Sequence, residues 1–198
     1  MRHIIYKPNA DKAIKSIVHL TLALFITITG KSMMSHPRPS WTSDEINAWA
    51  CDPDFGNPSG HSLTSMTFAY FSSNPFLLCL ALFVGFSRMV LGVHSLNQVF
   101  FGQALGILLA YLMQKYYRPI SNKIACCVTL QILSFCVCIW LFIPRQLESD
   151  WVEKIVEKCG KDYVDRSTDN AYNIRTFGVL MMTSASMLGR EKVNYSAS

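Results

Sequence analysis

Three short clusters in the first half of this sequence combine cationic side chains with serine, glycine and histidine. They are Lys31 with Arg38 and Pro39, then Pro58, Ser59, Gly60 and His61, and finally Ser87, Arg88 and His94. Each has an ordinary explanation when taken singly, since a lysine can snorkel at a helix end and a serine can cap a helix. Together they place cations and imidazoles in an apolar chain, where such groups are costly and indicate function.

The combination is typical of phosphate chemistry. Lys31, Arg38 and Arg88 supply three positive charges, and a guanidinium can grip phosphate oxygens through a planar, two-pronged contact. Gly60 has no side chain, so backbone N–H groups at the start of the following helix can approach an anion closely. Ser59 can add a hydroxyl donor. These groups would together stabilise the charge on a phosphoryl group in its transition state.

The two histidines of the clusters suit two complementary roles. One neutral imidazole can attack phosphorus, while the other can protonate the leaving oxygen. No acidic cluster near the motifs resembles a magnesium or zinc site. Asp52 and Asp54, the nearest carboxylates, are interpreted as part of a solvated loop. We therefore expect a mechanism without metal and without any other cofactor.

The same residues resemble the signature of a known family. The segments Lys31-x6-Arg38-Pro39, Pro58-Ser59-Gly60-His61 and Ser87-Arg88-x5-His94 are similar to the three motifs of the type 2 phosphatidic acid phosphatase superfamily. That family includes lipid phosphate phosphatases, glucose-6-phosphatase and the vanadium haloperoxidases. The resemblance covers about residues 14–114, and three ordered motifs with the right internal spacing are far more specific than any one of them.

The resemblance implies a role for each motif residue. It makes His94 the nucleophile that takes the phosphoryl group and His61 the general acid on the leaving group. It assigns phosphate binding to the remaining polar positions and to one glycine, namely Lys31, Arg38, Ser59, Gly60 and Arg88. It also implies an all-helical bundle with the site where helix ends meet.

Gln98 departs from the pattern, because many members carry Asp four residues after the nucleophilic histidine. On a helix, His94 and Gln98 would share a face. A glutamine carbonyl can orient an imidazole, although it stabilises a developing positive charge less than a carboxylate does. Members that resemble glucose-6-phosphatase also tend to have Gln here. We therefore count Gln98 with the catalytic residues.

Composition places these motifs in a membrane protein. The 198 residues are 51% hydrophobic and only 16% charged, against about 25% charged in soluble proteins. The net charge of +5 is not gathered into a basic stripe, so we expect no nucleic-acid partner. Seven cysteines form no evident disulfide framework. A bridge between Cys51 and Cys159, which both fall in polar stretches, is the less favoured alternative.

The apolar segments predict an all-α integral-membrane bundle of about four to six membrane helices. Residues 1–13 would be a cytoplasmic N-terminal segment and residues 14–114 the phosphatase core, which contains a span at 14–30, a loop at 31–60, a helical hairpin at 61–73 and 75–93, and a span at 96–114. Within the last span, Gly102, Gly106 and Ala110 place small residues on one face. Residues 115–198 would add a span at 124–143, a polar loop at 145–174 and a possible last helix at 175–189.

Basic residues beside the spans indicate orientation, because lysine and arginine favour the cytoplasmic side. Two clusters, Lys7, Lys12 and Lys15 and then Lys115, Arg118 and Lys123, would be cytoplasmic. The three motifs would then share the lumenal or extracellular side of the endoplasmic reticulum or plasma membrane.

These patterns favour a membrane phosphatase that acts on phosphate monoesters. The expected substrate is a lipid phosphate such as phosphatidic acid, because it can enter the site sideways from the bilayer. A sugar phosphatase similar to glucose-6-phosphatase is an alternative that Gln98 favours. A membrane scaffold that keeps the phosphate pocket without catalysis is a second alternative. The expected partners are therefore a phosphorylated lipid or sugar and the lipid bilayer. The sequence does not determine the oligomeric state.

Overall fold

The described part of the chain consists of helices and loops. The computed structural model describes residues 7–52, 54–121 and 147–162, and no strand occurs within them. The helices are α1 (Lys7–Met34), α2 (Pro39–Thr42), α3 (Gly60–Ser72), α4 (Pro75–Val90), α5 (Leu96–Ser121) and α6 (Ser149–Cys159). The predicted all-α class is confirmed for these residues. The predicted helices at 124–143 and 175–189 lie outside them.

Two segments of the described chain, Ser16–Thr42 and Leu96–Tyr116, are long and apolar enough to cross a membrane, which is consistent with a membrane protein. The hairpin helices are shorter. At 1.5 Å per residue, α3 and α4 reach roughly 20 and 24 Å, against a hydrocarbon core of about 30 Å. The predicted total of four to six membrane helices is therefore not confirmed by these lengths.

The hairpin between α3 and α4 turns where the sequence predicts it. Ser73 adopts the left-handed conformation that ends α3, and Pro75 occupies the first turn of α4. The side chain of Asn74 caps α4 by accepting a hydrogen bond from the backbone N–H of Phe76 at 2.9 Å. This local chemistry accounts for the sharp reversal.

Small residues on α5 allow it to pack directly on the backbone of α3. A Cβ atom added to Gly102 would lie 2.6 Å from the carbonyl oxygen of Ser59, and one added to Gly106 would lie 2.6 Å from that of Leu63. Ala110, one turn further, is fully buried. The predicted contact face of α5 is thus confirmed, and it brings the start of α3 against the start of α5.

The predicted loop at 31–60 contains more helix than expected. Helix α1 continues four residues past position 30, so that Lys31 lies in its last turn, and α2 follows at Pro39. The polar segment 145–174 was also expected to be a loop, and its first part forms α6. The apolar spacing of α6 is helical, with Ile155 buried. The many charges around that spacing obscure the pattern in the sequence.

Helix α6 is fastened to the loop that follows α2. Cys159 forms a disulfide with Cys51, with their Cα atoms 5.9 Å apart, so the less favoured sequence alternative is the correct one. The ammonium of Lys158 donates hydrogen bonds to the carbonyl oxygen of Ser40 in α2 and to those of Ser43 and Ile46 in this loop. These bonds replace the water that the ammonium leaves behind, and they hold residues 40–51 in place.

Candidate active site

Helix ends converge at one side of the bundle. A Cβ atom on Gly60 would lie 2.8 Å from Cγ2 of Thr27, so the missing side chain lets α1 lie against the start of α3. Lys31 is one turn beyond Thr27 and is brought to the same place. The backbone N–H of Ser59 donates to the carbonyl of Gln98 at 3.1 Å. This bond fastens the start of α3 to the first turn of α5.

Two of the predicted cations are buried and share one carboxylate. Lys31 is 4% exposed and Arg38 is 1% exposed. The carboxylate oxygens of Asp54 lie 2.7 Å from Nζ of Lys31 and 2.8 Å from Nη2 of Arg38. The Nε of Arg38 also donates to the carbonyl of Asp54 at 2.6 Å, and its Nη1 donates to the carbonyl of Val93 at 2.9 Å. Arg38 therefore ties the Asp54 loop to the residue that precedes His94.

A second carboxylate contacts both arginines. The Oδ2 atom of Asp52 lies 3.3 Å from Nη2 of Arg38 and 3.5 Å from Nη2 of Arg88. The interpretation of Asp52 and Asp54 as a solvated loop is therefore wrong. Cations withdrawn from water require counter-charges, and none of the three motifs contains one. The lack of a counter-charge in the motifs was therefore the sequence signal that could have identified Asp52 and Asp54 as members of the site.

Arg88 retains hydrogen-bonding capacity that the protein does not use. Its side chain is only 14% exposed, and its Nε is buried without a partner among the described residues. A buried guanidinium N–H without an acceptor is costly unless a ligand supplies one. Arg88 is thus the cation of the site with the greatest capacity to bind an added anion.

Gln98 determines which nitrogen of His94 carries the proton. The carbonyl of Pro37 can only accept, and it lies 2.8 Å from Nε2 of Gln98. The amide oxygen of Gln98 therefore faces the backbone N–H of Ser95 at 3.1 Å and Nδ1 of His94 at 3.3 Å. Because this oxygen accepts hydrogen bonds, Nδ1 is the protonated nitrogen and Nε2 keeps its lone pair.

His94 is held in its neutral form. Burial lowers the pKa of His94 to about 3, and the positive charges of Arg38 and Lys31 act in the same direction. The imidazole is 2% exposed, so water does little to stabilise its protonated state. A buried neutral imidazole with a free Nε2 is suited to nucleophilic attack.

The second histidine lies in the first turn of α3, with its side chain exposed. Lys31 and Arg88 act electrostatically on both His61 and His94, which places both rings in one charged environment. Ser59 is fully buried, and its hydroxyl lies 2.9 Å from that of Ser62. The structure thus brings the motif residues together, while the hydroxyl of Ser59 is engaged within the helix start.

Comparison with known proteins agrees with the geometry. A family model described as the PAP2 superfamily matches residues 12–121, which is more than half of the chain and includes every predicted site residue. No curated protein and no solved structure matches the chain significantly.

The depressed pKa of His94 predicts how stability depends on pH. Below about pH 6.5 the unfolded chain binds a proton at residue 94, which the folded protein does not bind until about pH 3. The folded state therefore loses stability as the pH falls across this interval, by up to about 1.4 kcal/mol per pH unit. Unfolding in detergent from pH 7 to pH 4 should show a steeper slope for the wild type than for His94→Gln. Equal slopes would contradict a neutral His94.

Proposed function

The chain belongs to the PAP2 superfamily, and we propose on that premise that it is a membrane phosphatase that hydrolyses phosphate monoesters through a phosphohistidine intermediate. The observation that carries the proposal is the state of His94. Its Nδ1 is held by Gln98 at 3.3 Å, which leaves Nε2 free. The positive charges of Lys31, Arg38 and Arg88 all act on this histidine.

In the first step, the lone pair on Nε2 of His94 forms a bond to phosphorus while the bond from phosphorus to the ester oxygen breaks. The departing alkoxide takes a proton from the imidazolium of His61, whose side chain is exposed. The phosphorylated ring of His94 keeps its Nδ1 proton and becomes positively charged. The carbonyl of Gln98 faces that proton and partly offsets the charge.

In the second step, water replaces the alcohol. The now neutral His61 takes a proton from water, and the oxygen attacks phosphorus while the bond to Nε2 of His94 breaks. Inorganic phosphate leaves, His94 returns to its neutral form, and His61 is again protonated. Side-chain cations meet the charge on the transferring group in both steps, so the proposed mechanism includes no metal and no cofactor.

Apolar side chains around the site support a lipid phosphate as the substrate. Met33 and Met34 lie two and three residues after Lys31 and are 57% and 38% exposed. Val90 and Leu96 flank the His94 loop and are 61% and 53% exposed. An acyl chain lying against these residues would stay in an apolar environment while its phosphate reaches the cations.

The disulfide supports an active site on the lumenal or extracellular side of the endoplasmic reticulum or plasma membrane. Disulfides persist in oxidising compartments and are rare in the cytosol. Cys51 lies directly before Asp52, so the bridge and the candidate site belong to the same compartment. The distribution of basic residues favours the same orientation.

Activity is tested on purified protein in detergent with phosphatidic acid, a lysophospholipid phosphate or glucose 6-phosphate, with a chelator present. Phosphate release is expected, and phosphatidic acid should be preferred. His94→Ala should reduce the rate to background, and His61→Ala should reduce it by about 10²–10⁴-fold. His36→Ala is the matched control, because His36 is exposed and contacts Asn57 and has no role in the mechanism.

Three results would contradict parts of this proposal. Release that stops with chelator would refute the metal-free mechanism. A clear preference for glucose 6-phosphate would favour the sugar phosphatase. If no monoester releases phosphate, the remaining interpretation is a membrane scaffold that binds phosphate without catalysis.

The role of Gln98 predicts a separation of kcat from KM. Gln98→Met removes both the acceptor for His94 and the donor to Pro37, so the imidazole loses its fixed orientation and tautomer. We expect kcat to fall about 10- to 100-fold with a smaller change in KM. Gln103→Met is the control, because Gln103 is a buried glutamine on the same helix that lies against Gly85 instead. Equal losses in the two variants would assign Gln98 to packing alone.

The proposed compartment predicts that the disulfide exists in cells. Free thiols are blocked before lysis, and the protein is then reduced and labelled with a maleimide that shifts its mobility. We expect two additional reactive thiols after reduction in the wild type. The Cys51→Ser/Cys159→Ser double variant should gain none. Reduced Cys51 and Cys159 in intact cells would contradict a lumenal or extracellular site.

A further inference from the structure

We propose that Asp52 is an internal anion that competes with phosphate for Arg38 and Arg88, and that it thereby limits the affinity of the site for its product. The inference deepens the proposed function and rests on it, since it concerns the binding of phosphate at the same cations. The Oδ2 atom of Asp52 is within 3.3 Å of Nη2 of Arg38 and 3.5 Å of Nη2 of Arg88. One carboxylate oxygen therefore lies between the two guanidinium groups.

The two carboxylates of this loop are held very differently. Asp54 has a side chain that is 18% exposed, short contacts to Lys31 and Arg38, and a backbone carbonyl that accepts from Arg38. It is fixed from several directions and positions both cations. Asp52 is 35% exposed, and its contacts to the arginines are the two long ones. Its side chain is more exposed than that of Asp54 and its contacts are longer, so Asp52 is the carboxylate that a ligand can displace more easily.

The position of Asp52 coincides with the place where a phosphate oxygen would bind. A phosphate that engages Arg38 and Arg88 together must take up the space between their Nη2 atoms. It also carries more oxygens than a carboxylate, and one of them can accept from the unpartnered Nε of Arg88. Asp52 therefore satisfies the arginines only in part, while phosphate would satisfy them more fully.

The backbone near Asp52 is anchored, so that only its side chain needs to move. Cys51 is covalently bound to Cys159 of α6, and Asp54 is bound to Arg38 through its carbonyl. A rotation of the Asp52 side chain would admit phosphate without opening the loop. When phosphate leaves, the carboxylate can return to the arginines. Its negative charge repels bound phosphate throughout, which weakens product binding.

The test measures the binding of inorganic phosphate to the full chain in detergent, by calorimetry, together with its inhibition of turnover. Asp52→Asn keeps the shape of the side chain and removes its charge. We expect it to bind phosphate about three- to tenfold more tightly than the wild type, with an equal fall in the inhibition constant. Asp52→Ser should also bind phosphate more tightly than the wild type. Agreement between the two variants would show that the effect does not come from the amide group that asparagine introduces.

The control is Asp44→Asn, which removes a carboxylate from the same loop. Asp44 is 79% exposed and pairs with Lys154 at 2.8 Å rather than with an arginine of the site. Its removal should leave phosphate binding unchanged. If Asp52 were only a structural support for the arginines, its loss would weaken phosphate binding. The direction of the change therefore separates the two roles.

The outcomes also separate this inference from the proposed function. If the wild type binds phosphate but hydrolyses no monoester, the phosphatase proposal fails, while the comparison of affinities still tests Asp52. If the wild type is active and both Asp52 variants bind phosphate no more tightly, the inference about Asp52 is wrong and the enzyme remains. Absence of phosphate binding in every variant would also overturn the inference.

Discussion

The pairing of buried cations with one loop carboxylate is the interaction on which the site depends. Lys31 and Arg38 are almost inaccessible to water, and Asp54 forms a salt bridge with each of them. Removing one partner of such a group leaves a buried charge uncompensated, which typically costs about 3–5 kcal/mol. The guanidinium of Arg38 also donates a hydrogen bond to the carbonyl of Val93. Because Val93 directly precedes His94 in the chain, the charge network also determines where His94 lies.

The helix packing serves this network by bringing three chain segments within reach of one another. Gly60 allows α1 to approach α3, and Gly102 allows α5 to approach the same helix end. Gln98 then bonds to Pro37 and to His94 at once. A carboxylate at position 98 could orient the histidine but could not donate to the Pro37 carbonyl. An amide can therefore make both contacts at this position.

The site must be preorganised for phosphoryl transfer and must also release the phosphate product. Fixed cations and a neutral imidazole favour the transfer of a phosphoryl group, yet the same cations would also hold the product. A weakly held carboxylate between two arginines moderates that affinity without adding any moving domain. Helix α6 secures the loop that carries Asp52, because Cys159 is bonded to Cys51 and Lys158 donates hydrogen bonds to nearby carbonyl oxygens.

Much of the fold and most members of the candidate site could be predicted from the sequence alone. The residue types within each motif indicated phosphate chemistry, Asn74 and Pro75 predicted the hairpin, and Gly102, Gly106 and Ala110 predicted a helix contact, because each of these patterns is made by residues that are close along the chain. The partners of the cations and of Cys51 lie far away in sequence. Only the packing of helices brings such groups together, so tertiary structure decided the charge balance, the disulfide and the second bond of Gln98.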